Sequence, residues 1–286
     1  MLVTLKEIMK IAEEKRIAIG AFNTPNLESL QAVIGAAEEL ELPVIIQFAE
    51  CHEVLIPLAV IGPIMVNMAK EAKVPICVHL DHGETCEYLE NALSMGFTSI
   101  MYDGSMLSYE ENEANTLKAV AMAAKTGASV EAELGSMGKR ESGSGDMDGD
   151  DLKIYTDPLK AKSFVESTGI DALACSFGTT HGIYLTKPKL DFSIVERVRK
   201  EANTVPVVMH GGSGVSKEDF HTAIHAGVRK INYFTYMDKA GGAVLCELVK
   251  EKRNENPLFF SEAIKAATVE MKENVKNAMK IFALMD

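Results

Sequence analysis

The sequence predicts an α/β protein of the (β/α)8 TIM-barrel class with extra helices at its C-terminal end. Eight short apolar runs occur along the 286 residues, and each is followed by a stretch with helical spacing. Strands that are buried on both faces are nearly continuously apolar, and about 250 residues is a typical length for this barrel. A doubly wound open sheet is the alternative that the same alternation allows.

The predicted strands are mostly bounded by proline, glycine, asparagine and aspartate, which is typical of buried parallel strands. They span residues 18–23, 43–49, 75–82, 99–104, 129–135, 172–179, 206–214 and 230–235. The first intervening segment illustrates the helices, because its apolar residues recur at helical spacing from Leu27 to Leu40. Thr24 and Pro25 precede it and predict a helix cap followed by a first-turn proline.

Two segments depart from this alternation. Residues 136–156 are rich in glycine and aspartate and are too long for a simple connector, so they form either a lid or a disordered insertion. We expect a mobile active-site loop there. Residues 237–286 predict a C-terminal helical extension that packs on the barrel or on another subunit. We expect a single domain over residues 1–286.

Charge and composition restrict the partners. The net charge of −12 argues against nucleic acid, because binding to a polyanion relies on Lys and Arg. No apolar run approaches the length of a transmembrane helix, so no membrane partner is expected. The five cysteines are scattered without a CxxC pair, which favours reduced thiols and a cytoplasmic location.

Polar side chains collect at the C-terminal strand ends, where a TIM barrel builds its active site. They are Asn23, Asp81, His82, Asp103, Glu131, Glu133, His181, His210, Asn232 and Thr235. Three histidines in this set each precede a glycine. A three-histidine site with an open fourth position is a catalytic zinc arrangement. Carboxylates such as Asp103, Glu131 or Glu133 could then fix the histidine tautomers.

The other histidines receive different interpretations, since a lone histidine at a strand end is more often structural. His79 shares the strand parity of Asp81, which favours a core or supporting role. His221 and His225 lie four apart on a helix that should run away from the site, so we expect surface residues. His52 follows the second predicted strand, and the sequence leaves open whether it reaches the site.

Residues 210–214 form a glycine- and serine-rich turn after the seventh predicted strand. The loops after the last two strands are the usual phosphate site of this fold, although such a turn can also be merely flexible. No lysine stands at a strand end as a Schiff-base nucleophile, and Lys230 is expected to precede its strand. The sequence therefore argues against a covalent imine route.

Six motifs, in order along almost the whole chain, resemble the class II zinc-dependent ketose-bisphosphate aldolases. This family contains the fructose- and tagatose-bisphosphate aldolases. The motifs are Ala21-Phe22-Asn23, His79-Leu80-Asp81-His82, Tyr102-Asp103-Gly104-Ser105, Glu131-Ala132-Glu133-Leu134-Gly135, Gly178-Thr179-Thr180-His181-Gly182 and His210-Gly211-Gly212-Ser213-Gly214.

The resemblance implies a role for each matching position. It implies zinc ligands at His82, His181 and His210, and at Asp81 the acid that exchanges a proton with the C4 hydroxyl. Asp103 and Glu133 correspond to carboxylates that support the metal site, and Glu141 to a mobile acid acting on the enediolate carbon. Substrate-binding positions correspond to Asn23, Gly182, Gly211, Ser213, Asn232 and Thr235.

The implied activity is zinc-dependent, reversible retro-aldol cleavage of a ketose bisphosphate to dihydroxyacetone phosphate and an aldehyde. Fructose 1,6-bisphosphate and tagatose 1,6-bisphosphate are the expected substrates. The resemblance also implies one Zn²⁺ per subunit, a Na⁺ or K⁺ near the phosphate, and a homodimer or homotetramer.

The sequence departs from the family pattern at substrate contacts. Ala49 stands where Ser or Thr is common, Leu185 where many relatives have Lys, and Phe234 where a small or acidic residue is usual. An aldolase for a phosphorylated ketose with an altered distal end is therefore an alternative. Metal-dependent hydrolysis on the same barrel is a second one, but the first predicted strand lacks the expected His-x-His pair. A sugar-phosphate-binding protein without activity would lack a catalytic residue, and none is missing.

Overall fold

The computed structural model describes residues 1–135, 155–184, 187–202, 205–252 and 257–285, and it contains a closed ring of eight parallel strands. The strands are β1 (Leu2–Val3), β2 (Ile19–Asn23), β3 (Val44–Ala49), β4 (Ile76–Gly83), β5 (Ser99–Tyr102), β6 (Ser129–Leu134), β7 (Ala172–Cys175), β8 (Val207–Met209) and β9 (Val228–Tyr233). Strands β2 to β9 form the ring, which the pairing of β4 with β5 closes. The predicted TIM barrel is thus confirmed, and the open sheet is excluded.

The helices follow their strands as the sequence predicts. They are α1 (Leu5–Lys15), α2 (Leu27–Leu40), α3 (Leu58–Glu71), α4 (Cys86–Ser94), α5 (Tyr109–Ala124), α6 (Pro158–Thr168), α7 (Phe192–Glu201), α8 (Lys217–Ala226), α9 (Thr235–Lys252) and α10 (Phe260–Phe282). A short 3-10 helix, Glu50–Val54, follows β3. The N-cap of α2 is Asn26 rather than the predicted Thr24-Pro25, because its side chain accepts a hydrogen bond from the Ser29 N–H at 2.8 Å.

The first elements, β1 and α1, were not predicted from the sequence. β1 pairs with the start of β4, and α1 contacts β2, β4, β6 and β9. A helix that contacts four strands of one ring lies across the end of the barrel, here the end opposite the active-site face. Thr4 and Glu7 form a capping box that fixes the start of α1.

The C-terminal extension packs on the barrel. Helix α10 contacts α8 on one side and α2 on the other, so it occupies the eighth position of the helical ring. Its last residue, Phe282, is fully buried and lies 4.9 Å from Phe220, measured between ring centroids. Helix α9 begins at Thr235, two residues before the predicted boundary at 237, and packs against α10.

Three strand predictions need correction. β7 ends at Cys175 and β8 at Met209, so the polar stretches predicted as strand ends are loops above the barrel. Lys230 does not precede its strand but lies inside β9. Of the predicted mobile loop, only Tyr155 and Thr156 belong to the described residues. Among all the residues that the structure describes, no helix combines the length and apolar composition that crossing a membrane requires.

Candidate metal centre and active site

Three histidines meet at the C-terminal ends of the barrel strands. His82 lies in β4, His210 follows β8 directly, and His181 lies in the loop after β7. One nitrogen from each ring lies within 4.8 Å of those from the other two. His82 has a φ of 45°, which is uncommon for a residue with a side chain and typical of strained functional positions. The fold therefore brings together the three predicted metal ligands.

Hydrogen bonds to carboxylates fix the tautomers of two of these histidines. His82 Nδ1 lies 2.8 Å from Asp103 Oδ2, and His210 Nε2 lies 2.9 Å from Glu131 Oε1. Because an ionised carboxylate only accepts, each of these nitrogens carries a proton, and the opposite nitrogen of each ring faces the site. Those two opposite nitrogens, His82 Nε2 and His210 Nδ1, lie 2.9 Å apart.

A positive charge between these two nitrogens is favourable, whether it is carried by a proton or by a metal ion. Burial lowers the pKa of His82, but the nearby carboxylates of Asp81 and Asp103 outweigh it and raise that pKa to about 10. Glu133 Oε2 is buried 4.0 Å from His210 Nδ1 and has no hydrogen-bond partner among the described residues. Three imidazoles with carboxylate support thus fit a divalent metal ion such as zinc.

Asp81 lies beside this cluster, with Oδ1 3.9 Å from His82 Nε2. It is buried and accepts hydrogen bonds from three side-chain amides: Asn23 at 3.0 Å, Gln47 at 3.2 Å and Asn232 at 3.0 Å. Burial would raise the pKa of Asp81, but the charges of His82, His210 and Lys230 lower it well below the usual range. The carboxylate is therefore ionised and oriented, as a general base must be.

Gln47 was missed by the sequence reasoning. It lies in the middle of β3 and is fully buried. Its amide also donates to Asn23 Oδ1 at 2.9 Å, which orients the Asn23 amide toward Asp81. The available signal was one polar residue in the otherwise apolar run VIIQFA.

A buried ion pair lies below the histidines. Lys230 is fully buried and donates to Glu131 Oε2 at 2.8 Å, while the other oxygen of Glu131 accepts from His210. His79 contacts the same group, with Nε2 3.6 Å from Glu131 Oε2 and Nδ1 2.8 Å from Ser99 Oγ. Burial and the charge of Lys230 lower the pKa of His79 to about 3, so it is neutral. This placement agrees with the predicted supporting role of His79.

The glycine-rich turn after β8 is tied to the end of β9. The Gly212 N–H donates to the Asn232 carbonyl at 3.1 Å, and the Phe234 N–H donates to Ser213 Oγ at 3.2 Å. Gly211 has a φ of 65°, which favours glycine. Thr235 begins α9, so backbone N–H groups and a helix N-terminus occur together, which is the arrangement that binds phosphate in this fold.

The remaining predicted residues divide into three groups. Gly182 follows His181 with a φ of 89° and lies in the same loop. His221 and His225 lie on α8 in the outer layer, away from the strand ends. Glu141 and Leu185 lie outside the described residues.

His52 lies at the mouth of the barrel, in the 3-10 helix after β3. Its ring centroid is 5.0 Å from that of Phe234 and 6.0 Å from that of Phe48. His52 therefore borders the site without joining the metal cluster.

Comparisons with known proteins find similarity over almost the whole chain. A family model described as Fructose-bisphosphate aldolase class-II matches residues 3–286. The chain is 37% identical to a fructose-bisphosphate aldolase of Staphylococcus aureus over 285 residues, covering 98% of this chain and 97% of the relative.

Two solved structures have the same fold. The YdjI aldolase from Escherichia coli K12 superposes with a TM-score of 0.85 at 37% identity, covering 99% of this chain and 97% of that one. A structure described as a putative fructose-1,6-biphosphate aldolase from Coccidioides immitis has a TM-score of 0.84 at 30% identity, covering 97% and 95%.

Proposed function

The chain belongs to the class II fructose-bisphosphate aldolase family, and on this premise we propose that it catalyses zinc-dependent, reversible retro-aldol cleavage of a phosphorylated ketose. The products are dihydroxyacetone phosphate and an aldehyde. Fructose 1,6-bisphosphate and tagatose 1,6-bisphosphate are candidate substrates by family resemblance, and glyceraldehyde 3-phosphate is then the aldehyde. A ketose phosphate with a different distal end is the alternative within the same family.

One juxtaposition carries the proposal. His82 Nε2 and His210 Nδ1 lie 2.9 Å apart, and the ionised carboxylate of Asp81 lies 3.9 Å from the same His82 nitrogen. A cation site next to an oriented base is what cleavage beside a ketone requires, since one stabilises negative charge on oxygen and the other removes a hydroxyl proton.

We assign the metal ligands to His82, His181 and His210, with one zinc ion per subunit. Zinc, when bound, supplies a Lewis acid that stabilises the negative charge of the enediolate. Asp103 and Glu131 hold His82 and His210 with one lone pair each directed into the site. Glu133 adds a buried carboxylate beside them.

Asp81 performs the proton transfer at C4. As the C3–C4 bond breaks, the C4 hydroxyl proton moves to Asp81, the C4 carbon becomes the aldehyde, and the bonding electron pair enters the enediolate. A proton then returns to the enediolate carbon to give dihydroxyacetone phosphate. By resemblance we assign that step to Glu141. The amides of Asn23 and Asn232 hold Asp81 in place and border the substrate.

The phosphate of the dihydroxyacetone half is assigned to the loops after β7, β8 and β9. The positions proposed to bind it are Gly182, Gly211, Ser213, Asn232 and Thr235. We further propose, from the family resemblance, a Na⁺ or K⁺ near this phosphate and a homodimer or homotetramer. A single domain over residues 1–286 and a cytoplasmic location complete the proposal.

Two assays on the same protein test this function. One measures cleavage of a ketose phosphate. The other measures exchange with solvent of a hydroxymethyl hydrogen of dihydroxyacetone phosphate, on the carbon that corresponds to C3 of the ketose. A chelator should abolish both, and added zinc should restore them. Asp81→Ala should lower cleavage by about 10²- to 10⁴-fold but retain exchange, because exchange does not involve the C4 hydroxyl.

His221→Ala, on the outer helix α8, is the control for His82→Ala and should leave both assays unchanged. His82→Ala should lose zinc together with both activities. Cleavage that neither the chelator nor Asp81→Ala affects would overturn the mechanism.

A further inference from the structure

The position of Asp81 identifies where the aldehyde half of the substrate lies, provided that the proposed function holds. Asp81 contacts the C4 hydroxyl, so carbons beyond C4 extend away from the histidines and past Asp81. Its direct partner on the neighbouring strand is Ala49, the last residue of β3. Beyond Ala49, the 3-10 helix Glu50–Val54 places the His52 ring against Phe234. This part of the mouth, named here the distal wall, consists of Ala49, Glu50, His52 and Phe234.

Three of the four distal-wall residues, Ala49, Glu50 and His52, belong to a stretch of the chain without basic side chains. The sequence has no Lys or Arg from residue 17 to 69 or from 74 to 117, which are the stretches that form β2, β3, β4, β5 and the loops after them. Lys70 and Lys73 separate the two stretches; they lie in the last turn of α3 and in the turn before β4, at the opposite end of the barrel. A phosphate on the distal end of the ketose would therefore meet no cation from strands β2 to β5 or the loops that follow them.

Carboxylates already occupy three hydrogen-bond donors in the segments that follow β3 and β4. The Glu84 N–H, at the start of the loop after β4, donates to Glu50 Oε2 at 2.8 Å. The Leu58 N–H and the Tyr88 hydroxyl both donate to Glu53 Oε2, at 2.9 Å and 2.5 Å. A second anion would have to displace these side chains or lie beside them, and like charges in close contact are strongly unfavourable.

The contrast with the loops after β8 and β9 is one of charge and hydrogen bonding. Those loops offer glycine backbone and the N-terminus of α9, whereas the distal wall offers two aromatic rings and an acidic rim. Aromatic faces pack well against the C–H faces of a hydroxylated carbon chain. We propose that the ketose carries its only phosphate at C1, and that its distal end is an uncharged hydroxylated chain lying against His52 and Phe234.

The test compares substrates that differ only in the distal phosphate, using the full-length zinc-loaded enzyme at low ionic strength. Fructose 1-phosphate and fructose 1,6-bisphosphate are cleaved in one direction. In the other, dihydroxyacetone phosphate is condensed with D- or L-glyceraldehyde or with the 3-phosphate of each. For each pair of substrates that reacts, we expect kcat/KM to be at least about tenfold higher for the substrate without the distal phosphate.

A paired variant tests the cause of this preference. Glu50→Gln combined with Glu53→Gln keeps an acceptor oxygen for the Glu84 and Leu58 N–H groups but removes both charges. This double variant should raise kcat/KM for the substrate with the distal phosphate by about threefold relative to the substrate without it. Glu14→Gln, on α1 at the opposite end of the barrel, is the control and should leave the ratio unchanged.

Hydrogen exchange of dihydroxyacetone phosphate separates the two ways of failing. Exchange together with equal or better use of the phosphorylated members would overturn the uncharged distal end and leave the aldolase assignment intact. Exchange without condensation of D- or L-glyceraldehyde would also overturn the proposal of an uncharged distal end. Loss of exchange, cleavage and condensation together would remove the proposed function and this inference with it.

Discussion

At the scale of single residues, Glu131 links the candidate metal site to the interior of the barrel. One of its oxygens accepts from His210 Nε2 at 2.9 Å, and the other accepts from Lys230 at 2.8 Å. Burial would raise the pKa of Glu131, but the charge of Lys230 and the hydrogen bond from His210 lower it to about 2. The carboxylate thus remains ionised in the core and holds the His210 proton on Nε2. Lys230 is in this sense a positioning residue for a metal ligand.

Zinc affinity should depend on this ion pair, although neither residue is a proposed ligand. Lys230→Met leaves Glu131 uncompensated, and Glu131→Gln leaves Lys230 uncompensated, so each should weaken zinc binding by about 10- to 100-fold. The double variant restores neutrality and should be less impaired than the two single effects combined. Competition with a chromophoric chelator measures the affinity, and Lys6→Met on the exposed surface of α1 is the control. Single variants that bind zinc within about twofold of the parent would contradict the role.

Which site residues could be predicted from the sequence follows from where they lie on their strands. His82 lies at the end of β4, and His181 and His210 lie in the loops after β7 and β8. Each precedes a glycine after an apolar run, where a polar residue is visible in the sequence. The Glu131–Lys230 contact joins residues that are 99 positions apart, and it depends on the register of the closed barrel. Gln47 similarly acquires its role only when β3 is paired with β4, and strand patterns do not specify such pairings.

At the scale of elements, the turn after β8 depends on a glycine in a left-handed conformation. Gly211 has a φ of 65°, and a Cβ built there would lie 2.4 Å from the backbone oxygen of Thr180. That carbonyl belongs to the loop that carries His181, so the two loops approach each other through their backbones. The Tyr184 hydroxyl, which donates to the Gly211 carbonyl at 2.8 Å, strengthens the same contact.

Gly211→Ala should therefore impair both stability and phosphate binding. The left-handed φ and the backbone clash should cost about 1–3 kcal/mol of unfolding free energy and raise the KM for dihydroxyacetone phosphate. Gly242→Ala is the matched control, because Gly242 lies in α9 and a Cβ there meets nothing within 4 Å. That substitution should stabilise the protein by about 0.5–1 kcal/mol and leave KM unchanged. Urea unfolding and steady-state kinetics measure both, and equal effects of the two substitutions would contradict the argument.

The order of strands and helices was predictable because each barrel strand is a nearly continuous apolar run. Strand ends were less predictable, since hydrophobic pattern does not show where pairing stops. β8 has three residues, and the polar glycine turn predicted as part of it binds β9 through isolated hydrogen bonds. β1 was missed because two residues, Leu2–Val3, are too few to produce a pattern.

At the scale of the whole molecule, the barrel is closed at one end by α1, and Glu13 fastens that helix to the ring. Glu13 Oε1 lies 2.7 Å from Arg199 Nη1 on α7, and Glu13 Oε2 lies 2.8 Å from Arg229 Nε on β9. Arg229 also donates to the carbonyls of Ile224 and Val228, which fixes its position. One carboxylate therefore joins the first helix of the chain to two of its later elements.

Removing the Glu13 charge should destabilise the whole fold without changing the active site. Glu13→Gln leaves two largely buried guanidinium groups without their counter-charge, and hydrogen bonds to charged groups contribute about 1.5–3 kcal/mol each. Since Glu13 is 31% exposed at its side chain, we expect a loss of about 1–3 kcal/mol in urea unfolding. Glu14→Gln is the adjacent control, because Glu14 is 65% exposed and its contact with Lys10 is long, at 3.9 Å. It should cost no more than about 0.5 kcal/mol.

Hydrogen exchange of dihydroxyacetone phosphate should be unchanged in both variants, since α1 lies at the end of the barrel opposite the histidines. A fall in exchange for Glu13→Gln under conditions where the variant is fully folded would show that the two ends of the barrel are coupled.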